Sequence, residues 1–238
     1  SLDRIRSFEI GKLFTKLYGD NEIDKYKVSQ LEFGYFSLFD HDFEPKCFID
    51  IIFAEPALFV EFISCVYKND ELEFNDPLNG NKKIAETIFS LFSRIKRVPG
   101  QSGKDINVDI LSNWIDNVRK IAEEKHYTRA CDMQIGMILS YVPIDEDGIW
   151  PHKALRGIIE KGCSEVIKNN IVTQYHNQRG VHNITGGDDE EKLSEKYFAD
   201  ADRIRVEYPN TASMLYSIGE TYKSEARAER NRELKGYY

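Results

Sequence analysis

Apolar residues recur at steps of three and four along most of the chain, which is the spacing that puts them on one buried face of a helix. Ile5, Phe8, Leu13, Phe14 and Leu17 mark a first helix, and Gly19-Asp20 breaks it. A second run, Tyr26, Leu31, Phe33, Tyr35, Phe36, Leu38 and Phe39, is apolar nearly all round and predicts a buried helix ending near His41-Asp42. Pro45 and Pro56 each suit the first turn of a helix, so Phe43 to Tyr67 divides into two short helices. After the polar stretch Lys68 to Asn81, with Pro77 and Gly80, helical spacing returns at Ile84, Ile88, Leu91, Phe92 and Ile95.

Val98-Pro99-Gly100-Gln101-Ser102-Gly103 reads as a break between two helical subdomains, 1–98 and 108–238, with 99–107 as linker. Beyond it, Val108, Leu111, Ile115, Val118 and Ala122 lie on one helical face, and a further helix runs from Thr128 to Tyr141. Val142-Pro143 stops that helix, because the residue before proline avoids the α region. Trp150-Pro151 is expected to open a helix towards Asn169, weakened by Gly157 and Gly162. Gly186-Gly187 followed by Asp188 and Glu191 fits a capping box. The helix it starts carries Leu193, Tyr197, Ala201, Ile204 and Tyr208 and ends at Pro209. Asn210 or Thr211 then caps a last helix bearing Met214, Leu215, Ile218 and Tyr222, antiparallel to its predecessor.

No segment alternates with period two between hairpin turns, so the fold class is all-α: an irregular array of eight to ten helices ending in a helix hairpin. A chain of 238 residues, 41% hydrophobic, can bury a core without a metal or disulfide staple. Cys47, Cys65, Cys131 and Cys163 are irregularly spaced and read as free thiols in a reducing compartment. Phe48 to Tyr67 is long enough to span a membrane, but Asp50, Glu55, Pro56 and Glu61 interrupt it. The start shows no signal-peptide pattern, and a cytoplasmic location is expected. Ser1-Leu2 in place of an initiator methionine suggests an excised piece of a longer chain.

The net charge of −8 disfavours nucleic acid, for which Arg94, Lys96 and Arg97 form the densest basic candidate. Asp145, Asp147 and Gly148 hint at a calcium loop, yet Gly148 stands fourth where the sixth position needs glycine, and Arg156 stands where a glutamate belongs. Gly186-Gly187 could cradle a phosphate, but four acids follow at once. His41, His126, His152, His176 and His182 form no metal-binding spacing, and His126, Cys131 and Asp132 are the nearest approach to a thiol site. No catalytic residue, metal or cofactor is assigned. The charged stretch Lys223 to Lys235 reads as a solvated helix end or a docking surface.

Leu31-Glu32-Phe33-Gly34-Tyr35, Arg97-Val98-Pro99-Gly100, Asp145-Glu146-Asp147-Gly148-Ile149-Trp150-Pro151-His152, Arg179-Gly180-Val181 and the stretch from Glu195-Lys196-Tyr197 to Glu225-Ala226-Arg227 together resemble a family. It is the C-terminal region of large, multi-domain bacterial proteins without an assigned function, some of them labelled helix-turn-helix regulators. The resemblance implies a bacterial cytoplasmic fragment, and DNA binding in the intact protein, although no basic recognition helix is visible here.

The leading expectation is a helical interaction or scaffold module that contacts a protein partner or other domains of its own chain. Trp150, His152, His176, Arg179 and His182 are its candidate contact residues. The rival enzyme reading joins these residues in one pocket with Asp145 or Asp147, and the other rival is nucleic-acid binding. Trp150 has a second reading, as a core anchor, in which Arg179 is a surface residue whose removal leaves folding nearly intact.

Overall fold

The computed structural model describes residues 2–20, 22–40, 43–71, 81–180 and 187–234, with side chains from Glu9 to Arg232. The fold is all-α: eleven α-helices and one small β-hairpin among the described residues. No described helix is long and apolar enough to cross a membrane. The chain forms two compact units, and neither is continuous in sequence: the first comprises Ser1–Gly100 with Asp109–Cys131, the second Gln101–Val108 with Asp132–Tyr238.

The first unit contains α1 (Leu2–Tyr18), α2 (Lys25–Gly34), a 3-10 turn at Phe36–Leu38, α3 (Lys46–Ala54), α4 (Pro56–Val66), α5 (Lys82–Phe92) and, from Asp109 onward, α6 (Val108–Glu124). The division expected from chain order, 1–98 against 108–238, therefore differs from the packing. Trp114 explains why, for its ring meets Phe53 at 5.6 Å and Phe59 at 5.1 Å, and its indole N–H donates to the Ile52 carbonyl at 3.2 Å. An amphipathic helix goes where its largest ring finds a core, and α6 buries Leu111, Trp114, Ile115, Val118 and Ala122 in this unit.

Glu32 is the pivot of the α1–α2–α3 region. Helix α3 starts after Pro45, which offers no side-chain cap. The fully buried Glu32 carboxylate accepts from the N–H groups of Cys47 at 3.1 Å and Phe48 at 2.6 Å, and from the Tyr18 hydroxyl. Three helices thus share one acceptor. Burial raises the pKa of Tyr18 and of Glu32, and it pushes the Cys47 thiol up to about 11, which leaves that cysteine inert.

Two expectations for this unit need correction. The second apolar run is not one buried helix: α2 ends at Gly34, and Tyr26, Leu31, Tyr35 and Leu38 are exposed. Pro45 precedes α3 at the cap position, whereas Pro56 does open α4 as its first residue. His41, Asp42, Pro77 and Gly80 lie outside the described residues.

The second unit holds the hairpin β1 (Gln101–Ser102) and β2 (Asp105–Ile106), which occupies the expected linker, and then α8 (Lys153–Gly162), α9 (Glu165–Asn177), α10 (Asp188–Ile204) and α11 (Pro209–Leu234). Helix α7 (Thr128–Leu139) starts in the first unit and ends in the second. The helix expected from Trp150 to Asn169 is two helices: Gly162, at a φ of 123°, ends α8, and the Ser164 side chain caps α9 through the Ile167 N–H at 3.2 Å. As expected, α10 and α11 form an antiparallel hairpin. Pro209 opens α11 instead of merely ending α10, and Asn210 and Thr211 do not cap it. Their N–H groups donate to Glu160 of α8 at 3.1 and 2.8 Å.

The capping box at Asp188 is absent. Gly187 holds the cap position in a left-handed conformation, without a side-chain hydrogen bond, and the four acids sit in the first turn of α10, where they complement the helix dipole. A Cβ on Gly187 would lie 2.5 Å from the Ala226 carbonyl oxygen, so only glycine lets α10 begin this close to α11.

Two helical glycines offer a direct contrast. A Cβ on Gly136 would lie 2.6 Å from both the Asn170 Cβ and the Ile167 carbonyl oxygen, whereas one on Gly157 would meet nothing within 4 Å. Urea titrations should show Gly136→Ala losing about 1–3 kcal/mol through forced separation of α7 and α9. Gly157→Ala should gain up to about 1 kcal/mol from backbone restriction alone.

Candidate functional site

The turn before α8 is organised by Arg156, the residue whose presence spoils the calcium-loop pattern. Its side chain is almost fully buried, and its guanidinium clamps Asp147 through Nη1 at 2.6 Å and Nη2 at 2.9 Å. The same group donates to the carbonyls of Pro151 at 2.7 Å and Ile149 at 2.6 Å. Asp145 accepts from the N–H groups of Glu146 and Lys153, each at 2.6 Å. Both acids of the supposed loop are thus spent internally, and no group of three or more metal-ligating side chains occurs among the described residues. The Arg156 hydrogen bond holds the Asp147 carboxyl below its usual range.

Trp150 and Pro151 precede α8 without belonging to it, and the cap is His152, whose Nδ1 accepts from the Ala154 N–H at 3.1 Å. Trp150 is 1% exposed and donates its indole N–H to the Val142 carbonyl at 3.2 Å. It is a core anchor. Its ring stacks on Tyr175 at 3.6 Å, the Tyr175 hydroxyl lies 3.3 Å from that of Tyr197, and the Tyr197 ring stacks on Tyr222 at 5.7 Å. Burial raises the pKa of Tyr175 and Tyr197 and takes Tyr222 up to about 12, so these phenols stay protonated at physiological pH.

His176 and Arg179 join the far end of this row. The His176 ring packs 4.9 Å from Tyr222 and its Nε2 lies 3.2 Å from Glu225. The Arg179 guanidinium sits 5.5 Å over the Tyr222 ring and pairs at 2.6 Å with Glu190, a residue with no exposed surface. Trp150, His176 and Arg179 therefore converge through shared tyrosines, with Trp150 buried and His176 and Arg179 half-buried. Arg179 is not the dispensable surface residue that went with a core Trp150. His152 lines a different recess, and Val181 and His182 lie outside the described residues.

Elsewhere the chemistry-bearing residues are also engaged. His126 faces Glu71 at 3.2 Å, Asp132 accepts from the Ser164 hydroxyl at 2.6 Å, and Cys131 is buried, so each member of that trio has its own structural place. Arg97 bridges Glu44 at 3.0 Å and Asp50 at 2.7 Å, and Arg94 donates to the Asp40 carbonyl at 2.7 Å. Of the basic cluster, Lys96 alone is exposed, with Arg94 and Arg97 half-buried.

Sequence reasoning missed an open apolar groove in the first unit, about 330 Å³ in volume. One wall is α2, with Tyr26, Ser29, Gln30 and Phe33 at steps of three, four and seven from the first; Leu58 and Phe62 of α4 form the other, over a floor of Phe48 and Ile51 from α3. The signal was present in the apolar run from Tyr26 to Phe39, several members of which stay exposed, Tyr26 at the groove among them. The chain matches no model of a known protein family, no curated protein and no solved structure.

Arg179→Ala, which strips buried Glu190 of its guanidinium, should cost about 3–5 kcal/mol in a urea titration, far more than an exposed pair would. Asp147 supplies a pH test. Because its folded pKa is depressed, its contribution is complete above its unfolded value of about 3.9 and is lost as pH falls further. Asp147→Asn should be less stable than the parent at neutral pH, and melting curves taken from pH 4 downward should show the gap closing.

Proposed function

We propose that this chain is a helical protein-interaction module, and that the groove between α2 and α4 receives one face of an amphipathic helix from a partner protein. The observation that carries the reading is the groove's lining: aromatic and aliphatic side chains on two helix walls, with Ser29 and Gln30 as polar points along one edge. A helix that presents apolar residues at steps of three, four and seven would match walls built with that spacing. Tyr26 is 54% exposed at the rim and suits an interface, where tyrosine gives contact area at small entropic cost. The resemblance to regions of large bacterial proteins fits a module that serves a longer cytoplasmic chain without catalysis of its own.

The nucleic-acid alternative is weakened by the same polar engagements. Arg94 and Arg97 hold their own unit together, which leaves little of the basic cluster for phosphates.

A library of displayed helical peptides, selected on the intact protein, should enrich sequences with an i, i+3/i+4, i+7 apolar stripe. Those peptides should lose at least tenfold in affinity on Leu58→Glu or Tyr26→Glu, measured by fluorescence anisotropy. Recovery of no such stripe, or equal binding by both variants, would remove the groove as the docking site.

A further inference from the structure

We propose that the recess between the β1–β2 hairpin and the turn preceding α8 binds a free α-amino acid in its zwitterionic form. The site lies wholly in the second unit and does not depend on the groove reading.

The recess has a volume of about 250 Å³, small for a drug-sized ligand and suited to a single small metabolite. Lys104 and Asp105 enter it from the hairpin, Glu146 from the turn, and His152 and Lys153 from the start of α8. Among the described residues, the side chains of Lys104, Asp105, Glu146 and Lys153 have no ion-pair partner. That contrasts with Asp147 and Arg156, nearby in sequence, which pair with each other. The remaining acid, Asp145, already has both oxygens engaged by N–H groups and adds no free acceptor of its own.

His152 supplies the fixed point. It is 8% exposed, and because its Nδ1 accepts from Ala154, its proton stands on Nε2. No described residue accepts from that N–H. His152 lines the recess, and a carboxylate is the strongest acceptor a ligand could bring to its remaining N–H.

The charge pattern narrows the ligand. A simple anion would find Lys104, Lys153 and the His152 N–H but would also face Asp105 and Glu146. A simple cation would meet the converse. Only a molecule that carries both signs a few ångströms apart satisfies both pairs, and an α-amino acid does so on adjacent atoms. Its carboxylate would take His152 and the lysines, its ammonium the two acids, and its side chain the apolar wall of Ile106 and Ile144, the latter 52% exposed. An internal peptide segment lacks both charges, and a peptide terminus carries one of them.

Titration calorimetry on the whole chain with leucine, isoleucine, valine and methionine, each alone, tests this. At least one should give saturable binding at one site per chain. N-acetyl and amide derivatives of that amino acid, each lacking one charge, should bind at least tenfold more weakly. Glu146→Gln and Lys153→Gln change exposed side chains, so both variants should fold, which circular dichroism checks. Glu146→Gln should shrink the preference for the free amine over the N-acetyl form, and Lys153→Gln the preference for the free acid over the amide. No saturable heat from any of the four amino acids, or equal binding of the blocked derivatives, overturns the proposal. So does unchanged discrimination in both variants.

Discussion

A helix that begins inside a packed core leaves its first N–H groups without partners, and each such group must find an acceptor or cost the fold about as much as a lost hydrogen bond. This constraint governs how the chain uses its acids. Glu32 reaches from α2 to the start of α3, Asp145 reaches forward to the start of α8, and Glu160 of α8 takes the N–H groups that open α11. A carboxylate at such a place is stabilised by the helix dipole as well as by the hydrogen bonds. The cap therefore comes from a different part of the fold, so the cap also fixes how one helix sits on another. At Glu32 the same carboxyl binds Tyr18 and so ties in α1.

That arrangement explains what was legible in the sequence. Local rules worked wherever the partner lies a few residues away: the helical periodicity of α6, α10 and α11, proline at the first position of α4, and the helix hairpin at the C-terminal end all follow from spacing. They failed where the partner is remote. Nothing near Asn210 reveals that Glu160 will hold it, so an acceptor on Asn210 or Thr211 looked like the cap. The capping box at Asp188 satisfied its pattern, but the approach of Ala226 dictated a glycine at the cap position instead. The expected boundary differs from the compact units for the same reason, since periodicity identifies the buried face of α6 and is silent about which core receives Trp114.

The candidate site residues show the limit more sharply. Trp150, His176 and Arg179 were picked out as residue types that favour interfaces, and they do come together, but residue type alone does not separate an interface anchor from an internal seam. Tyr175, Tyr197 and Tyr222 pack against them, with Trp150 buried and His176 and Arg179 still partly open to solvent. In the sequence Arg156 stands out only as the wrong residue for a calcium loop. Its four hydrogen-bonding contacts show it as the organiser of that loop, where an arginine does what a metal ion would do: it draws carboxylate and carbonyl oxygens to one buried positive centre.

Binding capacity is then found by subtraction. Polar groups that serve as caps, clamps and seams are committed, because removing them from those duties leaves a buried partner unsatisfied. The groups left over are those a partner or ligand can engage without cost to the fold. In the first unit these are apolar, the walls of the α2–α4 groove; in the second they are charged, at the edge of the recess beside the β-hairpin. An apolar groove gains from any partner that covers its surface, so its selectivity rests on shape. A recess with balanced charges gains little from a partner of one sign, since each attraction is offset by a repulsion, and it selects by the placement of charge. On the two proposals above, the units would recognise in different ways, one by the shape of an apolar groove and the other by the placement of charge.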